Sequence, residues 1–252
     1  MDATRAEICA TAVADGFRGD GEILVSCFGI VPSVGARLAK LYFEPDLLLT
    51  DGIASLVENV LPVSGETPAA VVEGWLPFRS VFDLVWGGRR HVMMVASQID
   101  RFGNQNFACI GSHAKPTAQL LGMRGAPGNT ISHRTSYWVP NHSPQVFVPR
   151  VDVVSGLGYD RAGALGRQSA RFHDLRRVIS NLGVFDFATP DHGMRLASVH
   201  PGVSVEQVVK QTGFELAIPK NVPETRLPSR AELASIRERI DPEGLLNKEV
   251  RA

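Results

Sequence analysis

No apolar run in this chain approaches the ~20 residues that span a bilayer, and the opening Met-Asp-Ala-Thr-Arg-Ala-Glu lacks the apolar core of a signal peptide. These absences argue against a membrane anchor and lead us to expect a soluble, cytoplasmic protein. Net charge is also absent: 26 basic and 26 acidic residues leave no field to attract nucleic acid or an anionic membrane. Neither is expected as a partner. The Arg-Arg pairs at 89/90 and 176/177 are then solvated ends of elements or local anion contacts. Cysteine is scarce. Cys9, Cys27 and Cys109 sit in apolar contexts without CxxC spacing, as suits small buried hydrophobes in a reducing compartment. The seven histidines show neither HExxH nor His-x-His spacing, and Asp191-His192 with His200 is too loose a grouping for a metal, so no metal site is expected.

Several common chemistries are missing as well. In Ser155-Gly-Leu-Gly158 the serine stands outside the glycines, so there is no GxSxG elbow. Gly122 to Gly128 is not followed by Lys-Ser/Thr, which removes a Walker loop, and its glycine spacing is not that of a dinucleotide fingerprint. What remains is a chain of 252 residues, 44% hydrophobic and long enough to bury a sizeable core. With no internal repeat or low-complexity linker, it is expected to form a single α/β domain over residues 1–252.

Thr4 and Glu7 make a capping box ahead of helically spaced Ile8, Ala12 and Val13. Glu22 to Phe28 is a short apolar run typical of a strand buried on both faces. Gly29 and Pro32 then make a turn, Ser33 to Tyr42 reads as a helix, and Leu47 to Thr50 as the next buried strand. That order predicts a parallel unit with functional loops at the strand ends, Gly29 to Ser33 and Asp51 to Ser55. Val71 to Trp75 reads as a strand or a lid, Phe78 to Trp86 has helical spacing, and His91 to Ala96 is a further apolar strand. After Thr130, short strands are expected at 145–148, 176–180, 184–187 and 195–200, in a mixed or antiparallel portion of the sheet. Ser204 with Gln207 and Ser229 with Glu232 should start helices near 205–212 and 230–240.

The densest collection of turn formers and side-chain amides lies between. Gln98-Ile-Asp-Arg-Phe-Gly-Asn-Gln-Asn106 and Gly122-Met-Arg-Gly-Ala-Pro-Gly-Asn129 have the composition of sharp turns that expose backbone N–H groups and carboxamides, and such turns build sites. A tight hairpin turn over Asp100 to Asn104, with Asn106 as a strand cap, is the purely structural reading of the first.

Taken with Gly29, Pro32, Ala36, Pro45 and Asp46, with Ile110-Gly111, with Thr212-Gly-Phe-Glu215 and with Ile236-Arg-x-x-Ile-Asp-Pro242, these blocks resemble the β subunit of glutaconate-type CoA-transferases over nearly the whole chain. The resemblance implies an open CoA-transferase-like α/β sheet, largely parallel with a mixed C-terminal portion and helices on both faces. It also implies a homologous α subunit as partner, in an αβ or (αβ)₂ assembly, with the active site shared between the two. In those transferases a glutamate just after the strand that follows the Pro-Asp pair is the nucleophile. Here the matching stretch, Leu47-Leu-Leu-Thr-Asp-Gly-Ile-Ala54, has no glutamate, and Asp51 is the nearest carboxylate. One methylene less displaces the attacking oxygen by about 1 Å, which can cost on the order of 100-fold.

Longer shared strings are similar to a side branch of the family, the β subunits of the cofactor-independent hydrolase that opens the last cholesterol-derived ring, carried as a CoA thioester, in bacterial steroid degradation. They include Leu48-Leu-Thr-Asp-Gly52, Glu73-Gly-Trp-x-Pro-Phe78, Trp86-Gly-x-Arg-Arg-His-Val92, Asp152-Val-Val-Ser-Gly-x-Gly-Tyr-Asp160 and Ser180-Asn-Leu-Gly-Val-Phe-Asp-Phe187. The expected reaction is hydrolysis of a ring C–C bond in a CoA thioester, with coenzyme A entering only as part of the substrate and no further cofactor. Gly125, Gly128 and Asn129 would donate N–H bonds to an oxyanion, an interaction typically worth ~100- to 1000-fold per donor. Arg124 would stabilise a carboxylate or enolate, and Gln98 and Asn104 would orient water or the thioester. The resemblance implies that the general base is a glutamate of the α subunit. Two alternatives stand beside this reading: a true CoA-transferase β subunit with Asp51 or a shifted glutamate as nucleophile, and a noncatalytic scaffold that completes the partner's CoA site.

Overall fold

A computed structural model describes residues 2–123 and 125–250. The chain divides into two compact units, Met1–Met93 with Arg226–Ala252, and Met94–Thr225.

The first unit contains α1 (Arg5–Gly16), β1 (Leu24–Cys27), α2 (Ile30–Tyr42), β2 (Leu49–Thr50), β3 (Ser55–Val57), β4 (Val72–Trp75), α3 (Ser80–Trp86) and most of β5 (Arg90–Val95). The capping box at α1 is complete: Glu7 N donates to Thr4 Oγ1 and Thr4 N to Glu7 Oε2. β1 pairs in parallel with β5, Leu24 opposite Arg90 through Cys27 opposite Met93. On its other side Val25 N donates to Leu48 O and Leu48 N to Ile23 O, a parallel bridge. The expected parallel unit therefore forms, with its loops at the strand ends. α2 starts three residues earlier than Ser33, because a proline in the first turn gives up an N–H that has no intrahelical partner anyway. Gly35 lets α2 lie against α1: a Cβ there would fall 2.4 Å from Val13 Cγ1 and 2.8 Å from the Ala10 carbonyl. β2, β3 and β4 form a small antiparallel sheet, so residues 71–75 are strand rather than lid.

The second unit contains β6 (Gln98–Ile99), β7 (Gln105–Asn106), β8 (Cys109–Ser112), β9 (Lys115–Gln119), α4 (Ala126–Ser132), β10 (Arg134–Val139), α5 (Tyr159–Ala164), β11 (Asp174–Ser180), β12 (Gly183–Asp186), β13 (Arg195–Val199) and α6 (Val205–Lys210). β10 and β11 pair in parallel, and β11, β12 and β13 follow antiparallel, which is the mixed C-terminal portion expected. Its core is built on Tyr137, Trp138, Val178, Ile179, Phe185 and Leu196, all buried. One expectation fails here, and one strand was not expected. Residues 145–148 are a turn with a single bridge at Phe147, because the Val146 and Phe147 N–H groups both fold back onto the Ser143 carbonyl. β10 went unpredicted because Arg-Thr-Ser-Tyr-Trp-Val buries Thr135 and Ser136 along with Tyr137, Trp138 and Val139, and so shows neither an apolar alternation nor a continuous apolar run.

The chain then returns to the first unit with α7 (Arg230–Ser235), a π-helical turn at Ile236–Ile240 and α8 (Leu246–Glu249). Ser229 and Glu232 form a second reciprocal capping box. Among the described residues no helix is long and apolar enough to cross a membrane.

Candidate active site

In the first unit, β1 and the Leu48–Thr50 segment end beside a cavity of about 470 Å³ whose lining includes Cys27, Ser33, Arg37, Thr50, Asp51 and Arg90. Gly29 makes the turn into α2 at φ +112°, with no room for a side chain, since a Cβ would meet Glu249 Oε1 at 2.5 Å. Glu249 instead caps α2, accepting from Val31 N at 2.6 Å. Asp51 closes the loop after β2: its Oδ1 accepts from the backbone N–H groups of Ile53 (2.8 Å), Ala54 (3.0 Å) and Ser55 (3.0 Å). The Ser55 N–H, followed by that of Ile53, holds the carboxyl below the ordinary carboxylate range. A carboxylate stabilised in this way is a weak nucleophile and a poor base at neutral pH. Cys27 offers no alternative, because burial pushes its thiol up to about 12.

In the second unit the Gln98 to Asn106 stretch is a β hairpin, as its turn chemistry allows. Gln98 is buried and engaged on both sides: Nε2 donates to Asp152 Oδ2 at 3.0 Å, while Oε1 accepts from Asn106 Nδ2 (2.7 Å) and Asp152 N (3.0 Å). Asn104 is likewise saturated. Its Nδ2 donates to both Asp100 oxygens (3.2 and 3.0 Å) and to Asp160 Oδ1 (2.9 Å), and its Oδ1 accepts from Gly158 N (2.8 Å). Asn106 Oδ1 accepts from Ala108 N, the strand cap of the structural reading. These amides hold the 152–160 segment against the hairpin, and Ser155 joins them by accepting from Phe107 N at 2.9 Å.

Asp100 lies inside this network, and burial raises its carboxyl from 3.8 to about 6 against the opposing bonds from Asn104 and Phe102. The folded chain therefore keeps a proton that the unfolded chain has released between about pH 4 and pH 6, so this group lowers stability as pH rises through that window. A carboxyl ¹³C titration of Asp100 should show a midpoint near 6; a midpoint near 4 would mean that the site is solvated.

Gly125 is the N-cap of α4, Gly128 lies in its first turn, and both are exposed, with open space where a Cβ would stand on Gly128. Asn129 is buried, and its Nδ2 donates to Met94 Sδ at 3.3 Å. Arg124 lies outside the described residues. The 155–158 segment links α4 to the hairpin: Gln105 N donates to Gly156 O, Asn104 accepts from Gly158, and Thr130 Oγ1 accepts from Leu157 N. The structure thus brings Gln98, Asn104 and the Gly125 to Asn129 group onto one framework in the second unit, while Asp51 belongs to the first. Missing from the sequence reading as site components were Asp152, Ser155 and Asp160, although all three stand in the Asp152 to Asp160 string. Arg37 was also missed, since a single arginine in an amphipathic helix carries no signal. Among the described residues no group of three or more His, Cys, Asp or Glu is placed to hold a metal.

The coenzyme A transferase family matches residues 7–211 of this sequence. The chain belongs to that family. Within it, the cholesterol ring-cleaving hydrolase IpdB subunit of Rhodococcus jostii is 52% identical over 249 residues, covering 99% of this chain and 97% of that one. The crystal structure of Rhodococcus jostii IpdAB superposes with a TM-score of 0.94 at 52% identity, over 100% of both chains. More distant is a subunit of the 3-oxoadipate CoA-transferase of Pseudomonas knackmussii, 32% identical over 221 residues, 84% of this chain and 85% of that one. The fold expected from the resemblance, a mixed α/β structure with parallel pairing that turns antiparallel toward the C-terminus, is the fold observed.

Proposed function

We propose that this chain is the β subunit of a cytoplasmic, heteromeric hydrolase that opens a carbocyclic ring of a CoA-thioester intermediate in cholesterol or steroid degradation, acting only with a CoA-transferase-like α subunit. The observation that carries the reading is the 52% identity to the IpdB subunit over nearly the full length, with a TM-score of 0.94. The chemistry of Asp51 supports it, because the nearest carboxylate to the transferase nucleophile position has one oxygen committed to backbone N–H groups. An exposed apolar surface in the first unit supports a permanent partner. Trp75, Phe78 and Trp86 are 74%, 78% and 70% exposed, and α3 has no buried residue; a surface of this kind marks an interaction site.

In this reading the ring carbonyl is attacked by water that a base of the α subunit activates. The oxyanion accepts N–H bonds from the Gly125 to Asn129 group, where a preorganised donor stabilises charge as it develops, and Arg124 stabilises the departing enolate. Gln98 and Asn104 act as positioning residues that hold the 152–160 segment. No cofactor is required, and coenzyme A is part of the substrate.

The transferase reading rests on the 32% identity to the 3-oxoadipate enzyme and on Asp51. Trapping separates the two. The reconstituted complex, incubated with a CoA thioester and quenched with borohydride or hydroxylamine, should show no mass change on this chain while the thioester substrate is ring-opened. A stoichiometric adduct on Asp51 or another carboxylate of this chain would establish the transferase.

A further inference from the structure

The helix that carries Asn129 is too short to hold itself in place. α4 has 7 residues, a length with no stability of its own in water, and Gly125 at its N-cap has no side chain to cap it. Its position, and that of Asn129, is therefore set by bonds from other segments of the second unit. Thr135 Oγ1 donates to the Asn129 carbonyl at 3.2 Å, Leu157 N to Thr130 Oγ1 at 3.0 Å, and His173 Nδ1 to the Thr130 carbonyl at 2.6 Å. The bond from His173 is the shortest of these. It satisfies a carbonyl in the last turn of the helix, where the C=O groups have no intrahelical donor.

His173 is itself fixed. Its ring meets Tyr159 edge-on with centroids 4.9 Å apart, and the Tyr159 hydroxyl bonds to both backbone groups of Leu175 at 3.1 Å. A carbonyl oxygen only accepts, so the proton is on Nδ1. Nε2 is buried with no hydrogen-bond partner among the described residues. Burial lowers the affinity of the ring for a second proton, outweighing the Thr130 carbonyl and Asp174, so the imidazole is neutral near pH 7 and donates through one nitrogen. We infer that His173 is a positioning residue for the ring-opening reaction: by holding the Thr130 carbonyl it fixes α4 and sets where Asn129 meets the developing oxyanion. The inference rests on the proposed function in one respect, the role of Asn129 as an oxyanion donor.

Asparagine and glutamine separate the two ring nitrogens, since the asparagine amide places its nitrogen where Nδ1 stands and the glutamine amide where Nε2 stands. Turnover is read per assembled complex, isolated by size exclusion, so that a folding defect is not counted as a catalytic one. His173→Gln should lower kcat about 10- to 100-fold with little change in KM, the penalty for a displaced reacting group. Hydrogen exchange at the α4 amides should become faster. His173→Asn should restore most of kcat and the slow exchange. His173→Leu, of similar bulk and without a donor, takes the place of the glutamine variant if that one fails to assemble. In the Asn129→Ala background, His173→Gln should add little further loss, because the group it positions is gone.

A histidine that only stabilises the fold would reduce the amount of assembled complex and leave kcat at the wild-type value. That result, an asparagine variant as slow as the glutamine variant, or fully additive losses with Asn129→Ala would overturn the inference. A slow Asn129→Ala beside an unaffected His173→Gln removes the positioning role alone. Normal turnover in Asn129→Ala removes the oxyanion reading, and the inference with it.

Discussion

Asn104→Asp should destabilise the protein by about 3–5 kcal/mol, the cost of leaving buried charge without a partner. That is a large share of the ~5–15 kcal/mol that holds a domain folded. In the wild type, the Asn104 amide nitrogen is the donor that joins Asp100 and Asp160, while its oxygen receives Gly158 N–H. Exchanging that nitrogen for oxygen places three carboxylates within hydrogen-bond distance in a site where Asn104 is 1% exposed. Asn104→Ala removes the donor without adding charge, and should cost about 2–3 kcal/mol by leaving Asp100 Oδ2 and the Gly158 N–H without these partners, since Asp160 is exposed to solvent and Asp100 Oδ1 keeps its backbone donors. Denaturant unfolding of the assembled complex measures both. The aspartate variant should recover part of its stability at pH 5, where Asp100 and its new neighbour take up protons. A loss below about 1 kcal/mol for either variant, within the range of ordinary surface substitutions, would remove Asn104 from the framework.

Turnover should respond elsewhere. Asn129→Ala is expected to lower kcat of the complex by ~100-fold or more with little change in KM, the signature of a donor that acts on developing charge. Its Nδ2 meets Met94 Sδ at 3.3 Å, a weak acceptor against which an oxyanion competes readily. Arg124→Ala should cause a loss of similar size. Size-exclusion chromatography should find both variants assembled with the α subunit. If turnover is unchanged in both, the noncatalytic scaffold is the correct reading, and this chain contributes only walls to its partner's site.

The two amide-rich blocks look alike in composition and differ in role. From residue types alone, Gln98 and Asn104 are as good candidates for orienting a substrate as Asn129 is. What separates them is distance along the chain: Asp152, Gly158 and Asp160, which saturate Gln98 and Asn104, lie 54 to 56 residues away. No local pattern reports such a pairing. The same holds for Arg37, whose carbonyl partner Leu61 is 24 residues away, and for β10, where Thr135 and Ser136 are buried beside Tyr137, Trp138 and Val139.

Local physics was legible throughout. Capping boxes at Thr4 and Ser229 act within one turn, so the start of α1 and of α7 could be read to the residue. The apolar runs that became β1 and β5 are buried on both faces, and their composition says so. The sequence by itself determined the parallel unit at the start of the chain, the family and the departure at Asp51, because each is written in contiguous residues. Only the tertiary structure decided which amides are framework, that Asp51 is pinned by its own loop, and that two arginines meet in one cavity, because those outcomes depend on which polar groups find partners once distant segments are brought together.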